Sequence, residues 1–216
     1  MLRSCIQHAT TVFFAFICFV PLLEAQITQL TNPSQYQGSI TQIDFDNAAS
    51  GSLATNLFLS DGVVFTRDDG FDPVIISPTN LATSSPANAI GTIGLPPTGF
   101  TNHLNVVFTQ PTLEVGAFFG NDQFASFTQM TLSIFDSAGL IGSVNLADNN
   151  NDDVDQFLGV QSTVPFTMAR FEHDAVDLAV VIDDLGFTSV PEPSSATLLV
   201  LISFCCFSIH RRRQSS

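Results

Sequence analysis

Residues 129–146, Gln129-Met130-Thr131-Leu132-Ser133-Ile134-Phe135-Asp136-Ser137-Ala138-Gly139-Leu140-Ile141-Gly142-Ser143-Val144-Asn145-Leu146, decide the fold class. Met130, Leu132 and Ile134 recur at every second position, the pattern of a strand that turns one face to a core. Asp136-Ser137-Ala138-Gly139 then predicts a type I turn, with Asp at its first position and Gly139 free to take the positive φ that closes a hairpin. Leu140 to Leu146 returns antiparallel.

The same short-run pattern extends outward in both directions. Upstream, His103 to Thr109 and Thr112 to Phe119 read as two strands separated by Gln110-Pro111, the second alternating Leu113, Val115, Ala117 and Phe119. Residues Pro78 to Thr101 form a long loop of Pro, Gly, Ser, Thr and Asn with a short strand at Ala89-Ile90-Gly91. A loop of that length in a compact domain is a natural ligand surface or a crossing between sheets. Pro73 to Ser77 reads as an edge strand, Gly62 to Thr66 as a strand between turn sequences, and Gly51 to Leu59 as a turn or loop. Ile40 to Phe45 opens the domain after a polar leader, Thr28 to Ser39. Downstream lie the acidic loop Ala147 to Gln156, the strands Phe157 to Val160 and Phe166 to Glu172, and a closing run from Ala175 to Phe187. Many short strands with no amphipathic helix predict an all-β fold, a two-sheet antiparallel sandwich of jelly-roll type.

The two ends have a different character. Arg3, the apolar run Thr11 to Leu23 and the small residue Ala25 have the layout of a signal peptide (1–25), with cleavage between Ala25 and Gln26. An uncleaved N-terminal membrane helix is the alternative. At the other end Val190-Pro191-Glu192-Pro193 precedes an apolar run from Ala196 to Ile209. With its two preceding serines this run makes a helix of roughly 24 Å, short for a bilayer. Arg211, Arg212 and Arg213 follow as a cytoplasmic stop, which leaves everything upstream outside. The domain between, residues 26–189, contains none of the four cysteines and therefore no disulfide. Its cohesion falls to phenylalanines such as Phe45, Phe65, Phe108, Phe119, Phe171 and Phe187, each contributing about 2 kcal/mol on burial.

Proline-glutamate-proline, a short apolar helix and a terminal arginine cluster, at 190–216, resemble the C-terminal sorting signal of bacterial PEP-CTERM proteins. The resemblance implies an exosortase-type membrane enzyme that cuts near Pro191-Glu192-Pro193 and passes the body to the cell surface or an exopolysaccharide matrix. A plain tail anchor is the alternative. Along the body, Gln42 to Asp46, Gly62 to Thr66, the pair between Val106 and Gly120, the hairpin, Gln156 to Ser162 and Val180 to Phe187 are similar to galactose-binding-like sandwiches of carbohydrate-binding modules. That resemblance implies a structural calcium joining acids of the first strand, Asp44 and Asp46, to an acid of the last, Asp183 or Asp184. Strand geometry points adjacent residues to opposite faces, so one of Asp183 and Asp184 is the expected ligand. Paired surface acids ending a strand are the alternative.

Charge restricts the partners. Residues 26–189 carry Arg67 and Arg170 against eighteen acids, a formal charge of −16. Such a field repels phosphate backbones, so nucleic acid is not an expected partner. Asp148, Asn150 and Asp152 have the spacing that opens an EF-hand, but Asp153 and Gly159 stand where its glycine and bidentate glutamate belong. A solvated loop is the better reading. No nucleophile elbow, zinc-protease motif or phosphate loop is found, and His103 and His173 lack metal-ligand spacing. The expectation is a non-enzymatic exported sandwich. Glycan binding is its alternative, with Phe71, Phe100 or Phe124 as stacking rings, and a membrane-anchored hydrolase is the second.

Overall fold

The computed structural model describes residues 25–77, 82–86, 88–93, 101, 103–120, 129–149, 151, 153–175 and 178–190. The signal sequence up to residue 24, the sorting tail with Pro191, Glu192, Pro193, Arg211, Arg212 and Arg213, and both terminal helices expected from sequence lie outside these residues, as do Phe100 and Phe124. No helix among the described residues is long and apolar enough to cross a membrane.

Among the described residues ten strands follow in chain order: β1 (Ile27–Leu30), β2 (Thr41–Ile43), β3 (Val63–Thr66), β4 (Val74–Ile76), β5 (Ala89–Gly91), β6 (His103–Gly120), β7 (Gln129–Asp136), β8 (Gly139–Ala147), β9 (Gln156–His173) and β10 (Val181–Ser189). Every pairing among them is antiparallel. The β7–β8 hairpin forms as its sequence dictates. Asp136 Oδ1 accepts from the Ala138 and Gly139 amides at 2.7 and 3.1 Å, and Gly139 takes φ 126°.

Two departures from the sequence reading shape the molecule. The runs around Gln110-Pro111 are one continuous strand, β6, and those around Val164-Pro165 are another, β9, each of 18 residues. The prolines do not end these strands; they sit where the β6–β9 ladder is interrupted, between the pairs Val107/Met168 and Glu114/Gln161. A residue without an amide donor is tolerated at such an irregularity. The core face also changes parity there: Leu104, Val106 and Phe108 point inward before the break, and Val115, Ala117 and Phe119 after it.

The break lets the ladder fold over. Leu104 pairs with Phe171 and Phe119 with Gln156, so Phe119 and Phe171 stand fifteen positions apart along the ladder. On a flat sheet that is about 50 Å. Their rings are 5.9 Å apart. Hydrogen bonding is continuous through all ten strands, yet β6 and β9 bend it into two facing layers of jelly-roll type. One layer holds β3, the first half of β6, the second half of β9, β7 and β8. The other holds β4, β5, β10, the remaining halves and β1, with β2 on β10. Between them one apolar cluster contains Phe45, Phe65, Phe108, Phe119, Phe166, Phe171 and Phe187.

The second departure is the segment Thr28 to Ser39, expected as a leader outside the fold. Its first residues are β1, paired to β9, and the rest straps the outer face of the second layer. The Tyr36 hydroxyl lies 2.9 Å from the Gly186 carbonyl and 3.1 Å from that of Gly116, and its ring meets Phe157 edge-on. At Gly116 an added Cβ would stand 2.7 Å from the Gly159 Cα and from the Phe157 ring, so that position requires glycine, while at Gly186 it would press on the tyrosine at 3.0 Å. Burial, and after it the Glu114 carboxylate, hold the Tyr36 phenol far above its usual pKa. Glu114 is itself buried and accepts from the Gln37 amide at 2.9 Å and Gln161 Nε2 at 2.7 Å. The polar composition that suggested a leader is thus spent on bonds to a sheet face.

Candidate functional site

The expected acids meet at one end of the sandwich, where β10 changes partners. Val181 and Ile182 pair with β5, whereas Leu185 to Phe187 pair with β2. Asp183 and Asp184 occupy the hand-over between these two neighbours. A β-bulge there inserts one residue of β10 relative to β6, between the pairs Asp183/Phe118 and Gly186/Gly116. Asp184 takes φ 49°, a left-handed conformation unusual for a residue with a side chain.

That bulge overturns the expectation that the two aspartates face opposite ways. Ser84 Oγ is 2.9 Å from Asp183 Oδ2 and 2.8 Å from Asp184 Oδ2, so both carboxylates converge on one hydroxyl. The Ser85 amide donates to Asp183 Oδ2 at 2.9 Å, Ser85 Oγ stands 3.2 and 3.1 Å from the two oxygens, and the Asp184 amide donates to Oδ1 at 2.8 Å. The serine pair plugs the gap in the β10 edge. Asp183 is completely buried, and this desolvation raises its pKa above the usual carboxylate value.

The first-strand acids serve the same brace. Asp46 Oδ1 accepts from the Asn88 amide at 3.1 Å, and Asn88 Nδ2 donates to the Ala48 carbonyl at 3.0 Å. Asp44 turns its side chain back to the Asp46 amide at 3.2 Å, while its carbonyl lies 3.4 Å from Ser85 Oγ. No three His, Cys, Asp or Glu side chains among the described residues gather as a metal shell. In this structure the Ser84 and Ser85 hydroxyls and the Ser85 and Asp184 amides satisfy the Asp183 carboxylate directly.

Above the brace opens a cleft of about 390 Å³. Gln42, Asp44, Asn47 and Asp61 bring polar side chains to it, and Leu57 and Phe58 supply apolar surface. Gln42 is steered by Asp184, whose Oδ1 accepts from Gln42 Nε2 at 3.3 Å. Phe45, buried beneath, has φ 60° and packs edge-on against Phe58 and Phe65 at 5.3 and 5.8 Å. Left-handed non-glycine residues cost about 1–3 kcal/mol each and gather where a fold has something to position. Two of them, Phe45 and Asp184, flank this cleft. Leu57 is 44 % exposed, and Leu53 and Leu59 in the same segment are 57 % and 51 % exposed.

Other sequence candidates have different roles. His173 is buried with Nε2 3.3 Å from the Ala179 carbonyl, and burial lowers its pKa, so it is a neutral core histidine. His103 joins a cluster on the outer face of the first layer, with Nε2 3.1 Å from Asp68 Oδ2. Arg170 spans the same cluster, reaching Asp68 Oδ2 and Asn105 Oδ1, each at 2.8 Å, with its guanidinium 5.6 Å from the Phe135 ring. This network pins the turn after β3 to the sheet. Phe71, 49 % exposed, has the Arg67 guanidinium 5.9 Å from its ring centroid. In the acidic loop, Asn149 and Asn151 each donate to Asp155 at 3.0 Å, an arrangement of amide donors; Asn150 and Asp152 lie outside the described residues.

Comparison with known proteins adds fold resemblance only. No family model and no curated protein matches the chain. Among solved structures it is similar to an arabinose-bound α-L-arabinofuranosidase, MgGH51, at TM-score 0.44 and 11% identity, over 67% of this chain and 25% of that one. The K2 cleaved adhesin domain of Lys-gingipain overlaps 76% of this chain and 99% of its own at TM-score 0.37 and 11% identity. A family 35 carbohydrate-binding module from Clostridium thermocellum overlaps 66% and 100% at TM-score 0.35 and 11% identity. At these scores the likenesses assign neither ligand nor activity.

The buried aspartate gives the brace a pH signature. A carboxyl whose folded pKa is raised contributes most below its unfolded pKa and loses that contribution as pH rises through the folded value. Wild-type protein should therefore gain melting temperature relative to Asp183→Asn as pH falls from about 7 toward about 4. Parallel melting curves for the two proteins would contradict the assignment.

Proposed function

We propose that this chain is an exported, non-catalytic β-sandwich that binds a neutral, hydroxyl-rich polysaccharide in the cleft between Gln42 and Asp61. The cleft carries this reading. Its carboxylates and amides can accept from and donate to sugar hydroxyls, while Leu57 and Phe58 offer an apolar patch to the ring C–H groups. The brace behind it fixes Gln42 and the Asp44–Asp46 turn before any ligand arrives, which lowers the ordering cost of binding. The formal charge of −16 on residues 26–189 argues for a neutral polymer over an anionic one.

Export rests on the two ends of the sequence. In this reading the signal peptide delivers the body across the membrane, and an exosortase-type enzyme acts at Pro191-Glu192-Pro193 to pass it to the envelope or matrix. Removing residues 191–213 is expected to release or misroute the protein in cell fractionation. Unchanged surface retention after that deletion would refute the sorting role.

Affinity electrophoresis through gels containing soluble neutral glucan, xylan or galactomannan tests the cleft. At least one polymer should retard the wild-type protein without gaining new reducing ends. Asn47→Ala with Asp61→Ala should weaken that retardation about tenfold or more, given about 0.5–1.5 kcal/mol per lost hydrogen bond. Retardation by none of the polymers, or retardation indifferent to the double substitution, would overturn the cleft assignment. Release of reducing ends would make the protein a hydrolase instead.

A further inference from the structure

We propose that Gln26 is a modification site: once it is the first residue of the exported body it cyclises to pyroglutamate, and the lactam stays docked on β9 as a cap for β1. The inference rests on the export reading, in which the signal peptide is cut between Ala25 and Gln26. Both residues are exposed, and β1 begins one position later, at Ile27. The cut therefore falls at the border of the fold and leaves the β1–β9 ladder, from Ile27/Ser162 to Leu30/Gly159, in place. Gln26 is itself tied to that sheet. Its backbone nitrogen donates to Thr163 Oγ1 at 3.0 Å, and its carbonyl accepts from the Thr163 amide at 3.0 Å.

An N-terminal glutamine holds nucleophile and electrophile in one residue, so the reaction needs no encounter. The α-amine attacks the side-chain Cδ and a five-membered ring closes through a new N–Cδ bond. The bond from Cδ to the carboxamide nitrogen breaks, and ammonia leaves with the proton that the amine gives up. No oxidant, reductant or second substrate enters. Two features of this end favour the step. Exposure leaves the side chain room to turn back on its own nitrogen. The acceptor at that nitrogen is a hydroxyl, in a body that carries eighteen acids. A carboxylate in its place would hold the amine as the unreactive ammonium.

The product fits the same place. A lactam nitrogen keeps one hydrogen, so it can still donate to Thr163 Oγ1, and the Gln26 carbonyl can still accept from the Thr163 amide. The terminal charge is lost and neither bond is. A closed ring also denies aminopeptidases the free amine they require. Trimming from an open end would strip β1, whose Ile27 packs against the core and whose Leu30 is buried. It would then reach the strap that carries Tyr36.

Mass spectrometry of the full chain, exported by a bacterial host, purified and incubated at neutral pH, tests the proposal. The N-terminal peptide should begin at residue 26 and be lighter by one ammonia than its unmodified sequence. Gln26→Asn, which could close only a four-membered ring, should keep a free amine and an unchanged melting curve. Pyroglutamyl peptidase should expose Ile27 about tenfold more slowly in the folded protein than in a synthetic peptide of residues 26–35, and Thr163→Val should reduce that protection. A peptide that begins at residue 26 with its glutamine intact after prolonged incubation would overturn the cyclisation and leave the export cut standing. A peptide that begins at another residue would refute the cut, and the proposal with it. Equal peptidase rates on folded protein and peptide would overturn the docked lactam.

Discussion

The contact between Phe119 and Phe171 is the constraint on which the rest of the structure depends. Neither ring could reach the other along a flat ladder, so β6 and β9 must bend together. Each of these strands then belongs to both layers, and neither layer can complete its hydrogen bonding without the other. One large cluster fills the space between the layers, with a small second one of Ala89, Val154 and Val181 beside it, and the absence of cysteine from residues 26–189 is offset by this shared backbone and by phenylalanine packing. Burying such rings contributes about 2 kcal/mol each.

The site inherits its position from the same arrangement. β10 lies beside the second half of β6, and its free edge is divided between two short strands, β5 and β2. Their junction leaves a stretch of β10 without a neighbour. Asp183 and Asp184 fill that stretch with carboxylates, and Ser84 and Ser85 close over them. The resulting brace reaches Asp46 through Asn88, and it supports a cleft whose polar side chains come from the segment between β2 and β3. Strain at Phe45 and Asp184 is tolerated because the brace and the core hold both residues from several sides.

Local pattern carried much of the fold. Alternation and turn chemistry gave the β7–β8 hairpin, β3, β4 and β5, since each depends on residues within a few positions. It failed where the deciding partner was distant. Gln110-Pro111 looked like a break between two strands, and Phe157 to Val160 and Phe166 to Glu172 like two strands rather than parts of one, but a bend between layers accommodates a residue without a donor. Tyr36 looked like part of a leader because its acceptors, the carbonyls of Gly116 and Gly186, lie 80 and 150 positions away. The acids expected to share a calcium lie at one end of the sandwich, and the residues that link them, Ser84, Ser85 and Asn88, were not foreseen. Ser84, Ser85 and Asn88 sit in a low-complexity loop where nothing local distinguishes them, although the length of that loop did mark it as a place to look. The side chains of Asn47 and Asp61 likewise acquire a common cleft only once the chain between β2 and β3 is folded.

A double-mutant cycle on Phe119→Leu and Phe171→Leu, read by urea unfolding, tests the folded-over ladder most directly. The two rings touch in this account, so the substitutions should be coupled by about 0.5–1.5 kcal/mol. Effects that add to within about 0.3 kcal/mol would mean that the rings are not in contact, and the two-layer arrangement would fail with them.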